Sequence, residues 1–187
     1  QSLDANTTGN YNVAVGQAAL GANTTANFNT ALGYVAMAAN TTGANNVSVG
    51  AYALDANTTG SGQVAVGKGA LGANSTGELN TAIGQDALTS NTTADGNTAI
   101  GYKSLEANTT GAANVAVGNL ALTDNTTASN NTAVGQNALL TNTVGTGHVA
   151  VGANALEKTT TASNNVAIGY LSAEETTTGF ANISIGS

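Results

Sequence analysis

The sequence predicts an all-β chain: a parallel β-solenoid of eleven coils, each 17 residues long and carrying two short strands. Three observations predict it. Glycine recurs every seventeen residues, at Gly16, Gly33, Gly50, Gly67, Gly84, Gly101, Gly118, Gly135, Gly152, Gly169 and Gly186, and eleven such periods fill the 187 residues. Before each glycine, small and β-branched residues alternate with period two. Between the apolar segments lie turns rich in Asn, Thr and Gly. A period this short marks a stack of like units, none able to bury a core alone. Residues 1–187 are therefore expected to form one repeat domain, with no separate cap, stalk or anchor.

The first strand of each coil is the segment ending at the recurrent glycine. Val, Ile and Thr favour strands, and they flank a strictly small residue two positions before it. That small row is Ala14, Ala31, Ser48, Ala65, Ala82, Ala99, Ala116, Ala133, Ala150, Ala167 and Ser184. Period two puts the flanking pair on one face and the small residue on the other. The glycine ends this strand where the backbone must bend or approach a neighbour closely. Three and four residues later come a small and then a large aliphatic residue, as in Ala19-Leu20, Ala36-Met37 and Ala87-Leu88; only Ala173 breaks the large position. This pair is expected to form the second strand, its leucine meeting the valines of the first. Asn-Thr-Thr-Gly/Ala follows, as in Asn57-Thr58-Thr59-Gly60, with a second Asn before the next strand, as in Asn80 and Asn97. Asn and Gly cap turns and accept left-handed backbone, and stacked Asn side chains can hydrogen-bond from coil to coil as ladders. Two turn clusters in seventeen residues leave no window for a helix.

Composition narrows the function classes. Only 7% of residues are charged and 41% are apolar, a balance unlike that of disordered chains. Collagen is excluded by the glycine spacing and the lack of Pro. Three basic residues, Lys68, Lys103 and Lys158, stand in different coils against ten acids, so nucleic acid is not an expected partner. There is no Cys to form disulfides or thiolate metal sites. No apolar run nears the roughly 18 residues of a membrane helix, so this segment is not expected to insert into a membrane. Gln1 opens the chain inside a repeat, as in a piece excised or processed from a larger protein.

The small row is as strict as the glycine row, whereas the two positions after each glycine vary freely, as in Gln17-Ala18, Lys68-Gly69 and Tyr102-Lys103. Strict smallness implies another backbone packed against it. The expected partner is the chain itself, in a parallel homotrimer or a higher fibre assembly around a shared axis. The alternative is a single solenoid whose alanines pack against its own second strand.

The segment Asn-Val/Thr-Ala-Val/Ile-Gly occurs as Asn114-Val115-Ala116-Val117-Gly118, Asn80-Thr81-Ala82-Ile83-Gly84 and Asn165-Val166-Ala167-Ile168-Gly169, with Ala-Leu following the first two. It resembles the YadA-like head repeats of trimeric autotransporter adhesins, over all eleven repeats. The repeats are also similar to those of phage tail fibres. The resemblance implies a left-handed parallel β-roll assembled as a trimer, exposed outside a cell or on a virion and used for attachment. Its partner would be a host-surface or extracellular-matrix receptor. Heads of that family use a somewhat shorter coil, the extra residues here forming the Asn-Thr-Thr-Gly turn.

Each of the sharper functional signals also has a bland origin. Thr24, Thr41, Thr58, Thr92, Thr109 and Thr126 form a candidate exposed turn row. Threonine rows on a flat solenoid suggest ice binding, but adjacent residues face opposite ways, so Thr-Thr offers one outward hydroxyl per coil. The bland reading is one inward, hydrogen-bonded Thr and one solvated. Asn23-Thr24-Thr25 and Asn74-Ser75-Thr76 match glycosylation acceptors, a match that turn chemistry alone produces. His148 is the only histidine and stands where the coils usually carry Asn, which makes it an Asn substitute rather than a metal ligand. Tyr34, Tyr102 and Tyr170 share one outward position, too few for a binding stripe. The acids scatter over variable turn positions rather than pairing for acid–base chemistry. No catalytic residue, metal site or cofactor is expected. The expectation is a structural and adhesive segment of an extracellular fibre, with an ice-binding solenoid and an end-to-end filament subunit as alternatives.

Overall fold

The computed structural model describes all 187 residues, Gln1–Ser187. Eleven three-residue strands follow in order: β1 (Val13–Val15), β2 (Thr30–Leu32), β3 (Val47–Val49), β4 (Val64–Val66), β5 (Thr81–Ile83), β6 (Thr98–Ile100), β7 (Val115–Val117), β8 (Thr132–Val134), β9 (Val149–Val151), β10 (Val166–Ile168) and β11 (Ile183–Ile185). They form one parallel sheet in sequence order. Register repeats the sequence period, with Ala82 opposite Ala99 and Ile83 opposite Ile100. The β-solenoid is thus as the period predicts.

Each coil carries one strand, not two. The segment expected as a second strand is a run of turns, with its large aliphatic residue in the left-handed region: φ is 52° at Leu54, 53° at Leu88 and 54° at Leu139. That conformation costs an L-residue about 1–2 kcal/mol. Complete burial of the side chain, worth about 1.5–3 kcal/mol, offsets it. The coil-to-coil hydrogen bonds also persist here, with the Leu88 amide donating to the Ser104 carbonyl at 2.9 Å. Of 120 backbone hydrogen bonds, 100 involve at least one residue outside the strands, so the turns hold the stack together as much as the sheet does.

The faces of the strand are the reverse of those expected. The middle residue points inward: Ala31, Ala65, Ala82, Ala99, Ala116, Ala133, Ala150 and Ala167 have no exposed surface and share one core cluster with the leucine row. Ser48 is likewise fully buried. The row expected to meet other chains therefore packs within its own coil, and only Ala14 and Ser184, in the first and last strands, keep partial exposure. The reason is the thinness of the interior. The Ser48 hydroxyl donates to the Ala53 carbonyl at 2.7 Å, so the strand and the leucine turn of one coil nearly touch. The flanking Val, Thr, Ile and Leu residues point outward.

The recurrent glycines behave as predicted. Their φ values run from 126° to 146°. A Cβ at Gly50 would lie 2.6 Å from the Gly67 carbonyl oxygen in the next coil.

Candidate functional site

Two buried amide ladders organise the interior. The first uses the Asn that opens each Asn-Thr-Thr turn. Asn91 donates to Asn74 Oδ1 at 2.8 Å and to the Ala94 carbonyl at 3.1 Å, and its own Oδ1 accepts from Asn108 at 3.2 Å. The same bonds link each coil to the last from Asn23 to Asn142. The second ladder uses the Asn before each strand. Asn97 accepts the Asn114 backbone N–H at 2.9 Å and donates to the Gly111 carbonyl at 2.9 Å. Gln63 joins it through the Asn80 amide and the Gly77 carbonyl. Buried polar groups are affordable only when paired, and these two rows pair nearly all of theirs.

His148 occupies a rung of the second ladder. Its Nδ1 lies 3.2 Å from the Asn165 backbone nitrogen and its Nε2 lies 2.7 Å from the Ala162 carbonyl. Nδ1 faces an N–H and must accept, so the proton sits on Nε2 and the ring is neutral. Burial pushes its pKa below the ordinary value of 6.5. The sequence reading of His148 as an Asn substitute matches this geometry.

The threonine row lies elsewhere than expected. Thr24, Thr41, Thr58, Thr92, Thr109 and Thr126 are half-buried. Each hydroxyl donates to a carbonyl in the next coil, as Thr58 does to Ser75 at 3.0 Å. The exposed residue is the following one: Thr25, Thr42, Thr59, Thr93, Thr110 and Thr127. One inward, bonded Thr and one solvated Thr per coil is the arrangement expected of a turn. The outer hydroxyls make a single column and no paired array. Asn23 and Asn74 are fully buried with their amide nitrogens bonded, so the folded coil does not present them for glycosylation.

The outer face of the sheet is the surface that the sequence reading missed. It carries two columns along the rod, one of Val, Thr or Ile and one of Val, Leu or Ile, with no charged residue in either. Leu32 is 46% exposed, Ile83 39% and Ile168 40%. Eleven strands at about 4.8 Å give a face about 50 Å long. With two columns about 7 Å apart, its apolar area is on the order of 500 Å², at the upper end of what monomeric proteins leave uncovered. All thirteen charged side chains instead lie on the turns. The three ion pairs are surface contacts: Lys103–Glu106 at 2.9 Å, Lys158–Glu174 at 3.1 Å and Lys158–Glu175. Such pairs contribute little.

Four of the exposed aromatics pair locally. Tyr11 stacks on Phe28 with centroids 5.0 Å apart, and Tyr34 meets Tyr52 edge-on at 5.3 Å. Tyr34, Tyr102 and Tyr170 do not form a stripe with one another, since Tyr34 finds its partner at a different position of the next coil. The glycines and the inward alanines are scaffold. The outer strand face is an extended, uncharged and largely apolar surface along the rod. No protein-family model, no curated protein and no solved structure matches this chain.

Proposed function

We propose that the chain is a structural rod segment of an extracellular fibre that associates with copies of itself through the outer face of its strands. The observation that supports this reading is the uncharged, apolar double column along the sheet. A surface with a fixed coil repeat is matched in phase along its whole length by a second surface of the same repeat, which another copy supplies. Two faces of roughly 500 Å² bury about 1,000 Å² together, near the lower bound for a specific interface. The chain carries a formal charge of −7, and placing all charge on the turns lets like-charged copies meet without repulsion across the face.

A parallel homotrimer fits the reading, three flat faces closing around one axis. The resemblance to adhesin heads and tail fibres supports a surface or virion fibre, with receptor contacts made by the variable turns after each glycine. Mass measurement by sedimentation tests it. The reading expects a discrete multiple of 18.1 kDa that falls to the monomer mass when Ile83→Lys, Ile100→Lys and Val117→Lys are combined. A wild-type chain that sediments as a monomer at micromolar concentration overturns it.

A further inference from the structure

We propose that the coil holding His148 and Thr159 is an acid-sensitive joint, where protonation of one imidazole opens the rod before any other coil yields. Both interior ladders exchange an amide side chain for another chemistry in this coil and in no other before it: the first loses a bond, and the second keeps its bonds through a ring that titrates. In the first ladder, Thr159 takes the place of Asn and turns its hydroxyl to the Thr176 carbonyl at 2.6 Å. It has no second donor to reach back, so Asn142 Oδ1 is buried without a partner. In the second ladder, the His148 ring replaces an amide that cannot titrate.

A proton added to Nδ1 removes the acceptor of the Asn165 amide and sets one N–H against another. It also places a charge in a fully buried position. The ring nitrogens meet the Asn165 backbone N–H and the Ala162 carbonyl, and Asn131 Oδ1 accepts the His148 backbone N–H. Burial and the two backbone hydrogen bonds, with no charged side chain, set the ring's pKa. Glu157 and Lys158 belong to the outer turn of this coil, where Lys158 pairs with Glu174 and Glu175 of the next. The sign follows. The folded pKa lies below the unfolded one, so the unfolded form binds more protons as pH falls, and stability is lost below about pH 6.5. Each coil touches only its neighbours, so the loss stays local to this joint.

Hydrogen exchange of the full chain, followed by mass spectrometry and corrected for intrinsic rates, tests the joint. Protection across residues 142–165 is expected to fall several-fold between pH 7.5 and pH 5.5, while the coils around Asn57 and Asn108 hold theirs. His148→Asn is expected to abolish the local pH dependence. Thr159→Asn, which supplies the missing donor to Asn142, is expected to raise protection at both pH values and keep the dependence. NMR titration of the single histidine adds a readout of the wild-type chain, with an expected midpoint below 6.5. A midpoint at or above 6.5, a loss spread evenly over all coils, or a local loss that persists in His148→Asn overturns the proposal.

Discussion

Glycine predominates in two rows along this solenoid, and they differ in how strictly it is kept. The row of Gly84 is glycine in all eleven coils; the row of Gly77 admits Ala26, Ala94, Ala128 and Ala162. Both rows are crowded. A Cβ at Gly84 would lie 2.6 Å from the carbonyl carbon of Gly101, and one at Gly77 would lie 2.6 Å from Asn74 Oδ1. Only Gly84 combines the crowding with a φ of 141°, a region reserved for glycine. Ala94 and Ala128 sit in the second row buried and without left-handed backbone, so that row gives way by small shifts. Crowding alone makes a position small. Crowding with a forbidden φ makes it glycine.

The largest expected effect breaks that comparison if it is wrong. Gly84→Ala adds backbone strain of about 1–3 kcal/mol to overpacking of similar size, and is expected to lower the thermal midpoint steeply. Gly77→Ala is expected to change stability by less than about 1 kcal/mol. Equal losses in the two variants, read from denaturant melts, would contradict the account. A smaller contrast separates two neighbours in one turn. Thr58→Ala removes a coil-to-coil hydrogen bond and is expected to cost about 0.5–1.5 kcal/mol. Thr59→Ala removes only a solvated hydroxyl and is expected to stay within about 0.5 kcal/mol of wild type. Equal costs would mean that the bonded row does not fasten the coils.

Legibility in the sequence followed the same division. The period, the parallel stack, the strand before each glycine and the asparagine ladders were all legible, because each rests on residue types with one strong backbone or pairing preference. The left-handed leucines were not. Leu54 and Leu88 carry no signal of positive φ, since burial holds them there against their own preference. The position of Asn45, Gly62, Gly96, Asn130 and Gly147 is also left-handed, and Asn and Gly suit it, but Tyr11, Phe28 and Leu79 hold the same backbone in other coils without that signal. The alanine row taught a third lesson. Its strictness was legible, but its direction was not, because a thin interior and a neighbouring chain demand the same small residue. The Ser48–Ala53 hydrogen bond settles the direction by showing how little room one coil encloses. With the alanines turned inward, the apolar strand residues become the outer face, and the candidate site moves with them.

That exchange of faces is the central claim, and the absence of native cysteine makes it directly testable. Single cysteines at adjacent positions of β6, Ala99→Cys and Ile100→Cys, can be treated with a short bifunctional thiol cross-linker in the assembled protein. The account predicts inter-chain cross-links from Ile100→Cys and none from Ala99→Cys, whose side chain is enclosed by its own coil. Cross-links from Ala99→Cys with none from Ile100→Cys would contradict it.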